Sequence, residues 1–226
     1  MSTHLPPQPF ASSYSPAHYP VDVTVQPKLI DRNRLTTFFR PILGIPHVML
    51  VGGPVAFAGA FFQVHDGRFD WSAGVGVLGA VASVAAVIGW FAIVFGARYP
   101  GGLYSLASLY LRWRVRAAAY LSLLTDDYPP FGDAPYPAQL QLVEPGARQR
   151  LTVAFRIVLA IPHLIAVACL GLVWCFTTFI AWLSILFTGQ YPEPLYHFGV
   201  GMLRWTARVE AYVLLLVDDY PPFSFS

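Results

Sequence analysis

Charge is scarce in this chain. Asp, Glu, Lys and Arg make up 12% of its 226 residues while 56% are hydrophobic, against about a quarter charged in an ordinary soluble domain. So few charges point to lipid as the solvent of much of the surface. Cysteine is scarcer still: Cys169 and Cys175 are the only two. Six positions apart in an apolar run, they sit about 9 Å apart along a helix axis. That spacing argues against a disulfide or thiolate metal site, and both are read as buried structural thiols. The opening MSTHLPPQPFASSYSPAHYP has neither a basic start nor an apolar core, so it is no secretory signal, and residues 1–18 are read as a disordered Pro/Ser-rich tail. The net charge is only +2, with arginines in short clusters beside apolar segments, which excludes nucleic acid as an expected partner.

What the chain does have is written twice. RLTTFFRPILGIPH at 34–47 matches RLTVAFRIVLAIPH at 150–163, and WFAIVFGARYPGGLY at 90–104 matches WLSILFTGQYPEPLY at 182–196. LRWRVRAAAYLSLLTDDYPPF at 111–131 matches LRWTARVEAYVLLLVDDYPPF at 203–223, and the lead-ins YPVDVTVQP and YPAQLQLVEP correspond. The offset is 116 residues before the first apolar segment and 92 after it, so copy one holds 24 extra residues between His47 and Trp90. That length reads as one added transmembrane helix.

The LxIPH element, the YP break, the RWxxRVxAY helix and the DxYPPF stop, in that order, resemble the bacterial membrane proteins of the domain-of-unknown-function family DUF4389, over roughly positions 19 to 223. The resemblance implies a bacterial integral membrane protein and brings with it no activity and no catalytic or binding residues.

Residues 19–131 form repeat one, with a strand, a transmembrane hairpin of 41–64 and 72–96, and an amphipathic helix at 101–125. Residues 132–226 form repeat two, with a strand, the apolar section 157–188 and an amphipathic helix at 194–217. Each apolar segment is weighed against the roughly 20 residues that cross a bilayer core. HDGRFDW turns the hairpin, and Gly52, Ala56 and Ala60 form a small-residue stripe that favours close packing in lipid. Lys28, Arg32, Arg34 and Arg40 precede the hairpin and Arg98 follows it, which puts the N-terminus in the cytoplasm. For 157–188 the flanking arginines favour an even number of crossings, hence a short or re-entrant hairpin broken at Pro162 or Gly171, with a single tilted helix as the competitor.

In the helix after each YP break, serines and arginines fall at spacings of three and four. Arg112, Arg116, Arg204 and Arg208, with Trp113 and Trp205, are the expected lipid or partner contacts of helices lying in the headgroup region. The alternative is that the arginines pair within the protein, with residues such as Glu210. VDVTV and AQLQLV alternate as half-buried strands, expected to pair with each other or with the tails after YPPF on the cytoplasmic face. The fold class is thus a mainly α integral membrane protein, internally duplicated, with a transmembrane hairpin, interfacial helices and short cytoplasmic β-strands.

Chemistry is hard to find. His47 and His163 each follow a proline on an apolar helix without a second ligand at helical spacing, so they read as structural polar anchors, and neither metal nor cofactor is expected. Asp126 and Asp127, like Asp218 and Asp219, are adjacent and point apart, unlike a general acid/base pair. They read as helix punctuation, with Pro129, Pro130, Pro221 and Pro222 as structural residues that stop each helix. The expected function is a non-enzymatic scaffold or accessory subunit of the bacterial cytoplasmic membrane, multi-pass, organising anionic lipid or a membrane protein complex. A small pseudo-symmetric transporter or channel is the alternative, and an enzyme acting on lipid comes third.

Overall fold

Asn33 starts the first helix by a local rule: its side-chain Oδ1 accepts from the backbone N–H of Thr36, capping an otherwise orphaned donor. In the computed structural model, which describes residues 19–53, 64–65, 68–69, 72–96, 98–131, 134–146 and 148–225, that helix is α1 (Arg34–Leu43). Gly44 separates it from α2 (Ile45–Val51). The two-residue strands β2 (Val64–His65) and β3 (Arg68–Phe69) pair antiparallel, and α3 (Ser72–Gly96) follows. Helix α4 (Gly101–Leu121) completes copy one. Copy two comprises α5 (Arg150–Ala154), α6 (Arg156–Thr188) and α7 (Glu193–Val213). The lead-in strands β1 (Val21–Val25) and β4 (Ala138–Leu142) pair with each other, Val23 opposite Leu140. Val21, Val23, Ala138 and Leu140 are buried while Thr24, Gln139 and Gln141 are exposed, as the strand alternation requires.

The copies are crossed. β1 of copy one packs on α7 of copy two and β4 packs on α4; likewise α1 packs on α6 and α5 on α3. The matched tryptophans repeat the exchange, Trp182 donating through Nε1 to the Thr37 carbonyl and Trp90 to that of Val153, both at 2.9 Å. Val23 and Leu140 hold the same place in the two lead-ins, so the pseudo-two-fold axis passes through that pair.

Three expectations about the apolar segments change. The section 157–188 lies within one helix of 33 residues, Arg156–Thr188, with no reversal. Pro162 falls in its second turn, where it lacks the N–H that would bond to the Val158 carbonyl yet the helix continues, and Gly171 is helical and buried. The segment 41–64 is not a single helix in its described part. Gly52 leaves the helical region (φ 78, ψ 169), and residues 54–63, with Ala56 and Ala60 of the stripe, lie outside the described residues, as does the tail 1–18. Gly76 is also non-helical (φ 71), and a Cβ there would lie 2.6 Å from the Gly52 nitrogen. By the repeat offsets Gly52 and Gly76 both correspond to Ala168, at the middle of α6. Helices α2 and α3 therefore abut as a split counterpart of α6, and the extra residues leave and rejoin the chain at one joint. Third, Cys169 and Cys175 are exposed, because they fall on the outward face of α6.

The helices read as interfacial are the core. From Gly199 to Tyr212 every residue of α7 is buried except half-buried Arg204, and α4 packs against it. Neither helix reaches the prolines. Helix α4 ends at Leu121 and α7 at Val213, and Leu123 (φ 65) and Leu215 (φ 63) then turn left-handed, a conformation uncommon outside glycine. The outer surface carries the apolar residues instead: in α1, Leu35, Phe38, Phe39 and Ile42 are exposed while Thr37 and Arg40 are buried. Among the described residues, two helices are long and apolar enough to cross a membrane, Gly76–Gly96 and Arg156–Thr188.

Candidate functional site: two arginine junctions and a central ion pair

The left-handed leucines aim carbonyls at arginines. Leu123 O accepts from Arg32 Nη2, and the matched Leu215 O accepts from Arg148 Nη1 at 2.8 Å. Beside each stands the first aspartate of DDYPPF. Asp126 Oδ1 lies 2.9 Å from Arg32 and 3.2 Å from Arg40, and its Oδ2 lies 3.2 Å from Lys28. Asp218 Oδ1 lies 3.1 Å from Arg148 and 2.9 Å from Arg156. Arg40 also donates to the carbonyls of Tyr120 and Thr125, and Arg156 to those of Tyr212 and Val217. Each guanidinium lies over the tyrosine whose carbonyl it binds, 4.3 Å from the Tyr120 ring and 4.4 Å from that of Tyr212. A desolvated stack of this kind contributes about 2 kcal/mol. The aspartates thus close each copy onto the start of its own helical section.

The junctions are also shared between copies. Arg32 reaches over Tyr191 of copy two, and Arg148 over Tyr99 and Tyr104 of copy one. Tyr136 Oη donates to the Asp127 carbonyl, and Tyr19 Oη to that of Asp219. Burial pushes the pKa of both hydroxyls up, so they are donors throughout the ordinary pH range.

The YPPF runs close over the histidines. His47 Nδ1 accepts from Trp113 Nε1 at 3.1 Å, and His163 Nδ1 from Trp205 at 3.3 Å. Phe131 stacks on His47 with centroids 5.1 Å apart and Phe223 on His163 at 3.8 Å, with Tyr128 and Tyr220 alongside. An accepting Nδ1 puts the imidazole proton on Nε2. Pro129 and Pro221 are buried in these turns, whereas Pro130 is half-buried and Pro222 exposed.

One pair breaks the symmetry. Arg114 Nε lies 2.6 Å from both Glu210 carboxylate oxygens, and Nη1 donates to the Val51 and Gly53 carbonyls at 2.7 and 3.0 Å. Those carbonyls are the ones left open where α2 stops, so the guanidinium caps a broken helix while Glu210 neutralises it. The positions matching Arg114 and Glu210 are Thr206 and Ala118. Burial pushes the Glu210 carboxyl up and Arg114 pulls it back.

The anticipated arginine stripe is divided. In copy two it faces protein: Arg204 Nε donates to the Val23 carbonyl at 2.9 Å, and buried Arg208 lies over the Tyr19 ring. In copy one Arg112 and Arg116 are half-buried, and Trp113 and Trp205 are the histidine donors. Two matched crevices open beside the junctions. One, of about 410 Å³, is lined by Arg40, Leu121, Leu123, Phe179 and Trp182; the other, of about 280 Å³, by Arg156, Val213, Leu215, Val87 and Trp90. Among the described residues no group of three His, Cys, Asp or Glu side chains could hold a metal.

The sequence profile of the domain of unknown function DUF4389 matches residues 73–132 and 150–224, more than half of the chain in two tandem segments. The protein belongs to the DUF4389 family. Each match ends one residue past a DDYPPF stop, and the second takes in the whole of α5, α6 and α7, whereas the first begins only within the last few of the extra residues. No curated protein and no solved structure matches this chain. The junction residues Arg32, Arg40, Arg148 and Arg156 escaped sequence reasoning, although each pair occupies matched positions in the two copies, which was the available signal. Arg114 has no such counterpart.

Proposed function

We propose that this DUF4389 protein is a non-enzymatic scaffold or accessory subunit, integral to the bacterial cytoplasmic membrane with its N-terminus on the cytoplasmic side. It organises anionic lipid or a membrane protein partner. The observation that carries the reading is the fate of the charged groups. Asp126 and Asp218 bind arginines of their own copies, Glu210 holds Arg114 across the copies, and His47 and His163 sit under aromatic lids, so these titratable side chains are taken up in holding the fold together. The inverted character of α1, apolar outside and polar inside, supports lipid as the medium.

The test is extraction in polymer-bounded native discs, with the bound lipid and protein measured by mass spectrometry. We expect anionic phospholipid enriched over the bulk membrane, or a stoichiometric protein partner. Neither enrichment nor partner, or solute flux in vesicles that depends on this protein, overturns the proposal; flux would favour the transporter reading.

A further inference from the structure

Helix α6 runs between the two junctions, as α2 and α3, its split counterpart, do together by the pseudo-two-fold symmetry. Arg156, at the start of α6, is bound at the Asp218 junction, and Gly189, which ends α6, accepts from the Arg32 backbone N–H at the Asp126 junction. Helix α6 is about 50 Å long at 1.5 Å per residue. Residues 19–29 link the same two places, since Tyr19 Oη bonds Asp219 and the Leu29 carbonyl accepts from Tyr191 N. Chain of that length reaches at most about 36 Å when fully extended. It closes the gap only with the added reach of the Tyr19 and Arg156 side chains, which make the contacts at the Asp218 end, and only by running extended and broadly along α6; β4, paired to β1, runs with it. The ribbon and the long apolar helices therefore share a direction.

That shared direction decides how the molecule can sit in a bilayer. With α6 upright, the β1–β4 ribbon would stand upright too, at hydrocarbon depth. Two strands leave two open edges, and exposed Thr24, Gln139 and Gln141 would face lipid; open sheet edges do not occur in the hydrocarbon region. Half-buried Arg112 and Arg204, at the middles of α4 and α7, would come to the bilayer centre, the costliest depth for a guanidinium. With α6 lying along the membrane both conflicts vanish. The ribbon meets water, the arginines of α4 and α7 lie at headgroup level, and the outward side chains of α1, α3 and α6, such as Phe38, Phe91 and Phe176, enter acyl chains. The two junctions, related by the axis through Val23 and Leu140, then stand at one depth, so the arginine clusters of both copies share one side of the membrane.

Resting on the membrane reading above, we propose that the described domain lies flat in one phospholipid leaflet, its two span-length helices parallel to the bilayer surface rather than crossing it.

Spin labels test this in the full chain after Cys169→Ser and Cys175→Ser, reconstituted into phosphatidylcholine vesicles containing phosphatidylglycerol. Labels go at Thr24→Cys, Gln139→Cys and Phe176→Cys, and collision with oxygen and with a water-soluble nickel chelate is measured. The flat arrangement predicts that the Thr24 and Gln139 labels are open to nickel, while the Phe176 label is shielded from nickel and collides with oxygen. Thr24 and Gln139 labels shielded as deeply as Phe176 would overturn the flat arrangement and leave the membrane reading standing. A Phe176 label open to nickel would overturn both. As a second readout, a membrane-impermeant maleimide should leave both Gly101→Cys and Glu193→Cys unreacted in intact spheroplasts and react with both after lysis; reaction of one and not the other in intact spheroplasts means that the helices cross.

Discussion

Copy two makes its long apolar helix without interruption, from Arg156 to Thr188, whereas copy one makes the counterpart from α2 and α3 meeting at Gly52 and Gly76. The ends of the two paths are nevertheless held alike: an arginine over a tyrosine, a left-handed leucine carbonyl and an aspartate recur at both junctions. The fold is thus strict about where a helix begins and ends and tolerant about what leaves its middle. The tolerance has a local condition. Breaking the helix opens the carbonyls of Val51 and Gly53, and only copy one supplies an arginine for them.

The largest expected effect comes from breaking that asymmetric repair. Glu210→Ala leaves the Arg114 charge buried and unpaired, and the unfolding free energy in detergent should fall by about 3–5 kcal/mol. Arg114→Thr with Glu210→Ala makes the two copies alike at this position and should restore part of the loss, leaving the cost of the open carbonyls, about 1–3 kcal/mol. A double variant no more stable than Glu210→Ala would mean that the charge was not what mattered.

Next come the junctions, which sharpen what the two DDYPPF stops share. Asp126→Asn and Asp218→Asn each strand a pair of buried arginines and should lower the thermal midpoint strongly, by the equivalent of about 3 kcal/mol. Asp127→Asn and Asp219→Asn, both exposed, should stay within about 0.5 kcal/mol of the parent. Equal effects at first and second aspartates would dissolve the distinction. A smaller difference is expected at the histidines. Phe223 stacks closer on His163 than Phe131 does on His47, so His163→Ala should cost more than His47→Ala by about 0.5–1 kcal/mol. The reverse order in thermal unfolding would show that stacking is not the dominant contact.

The smallest effect is expected from erasing the difference altogether. Removing residues 53–76 with Gly52→Ala joins α2 to α3 as α6 is joined. The thermal midpoint should barely move, and in this background the Arg114→Thr, Glu210→Ala pair should cost less than about 1 kcal/mol, since no open carbonyls remain to be capped. Collapse of the shortened chain would show that the extra residues are part of the fold.

The duplication, the YP breaks and the alternation of the lead-in strands were legible in the sequence because each is a local pattern. Which helices lie inside was not. Arginines at spacings of three and four suit a headgroup surface and an intramolecular carbonyl equally, and only tertiary contact shows that Arg204 reaches Val23. The expectation of one more helix in the 24 extra residues falls largely outside the described residues, and length alone does not reveal that the two ends of the insertion meet at one joint. The DDYPPF stop was read as punctuation in which the prolines end each helix, whereas the helices end before it. The turn is made at Leu123 and Leu215, upstream of the prolines, a conformation that no leucine announces.

The crossing of the copies also sets an order of events during synthesis. The Asp126 junction is completed by Tyr191, and Tyr19 leaves the ribosome 200 residues before its partner Asp219. The Asp126 junction gains its last partner only when most of copy two has been made. Such distant pairings slow the final step and leave apolar helices uncovered in the meantime. The same crossing means that one copy made alone would carry both an unfilled junction and the segment that fills one. Two such chains could satisfy each other only by exchange, which makes the present molecule, in architecture, a swapped pair fused end to end.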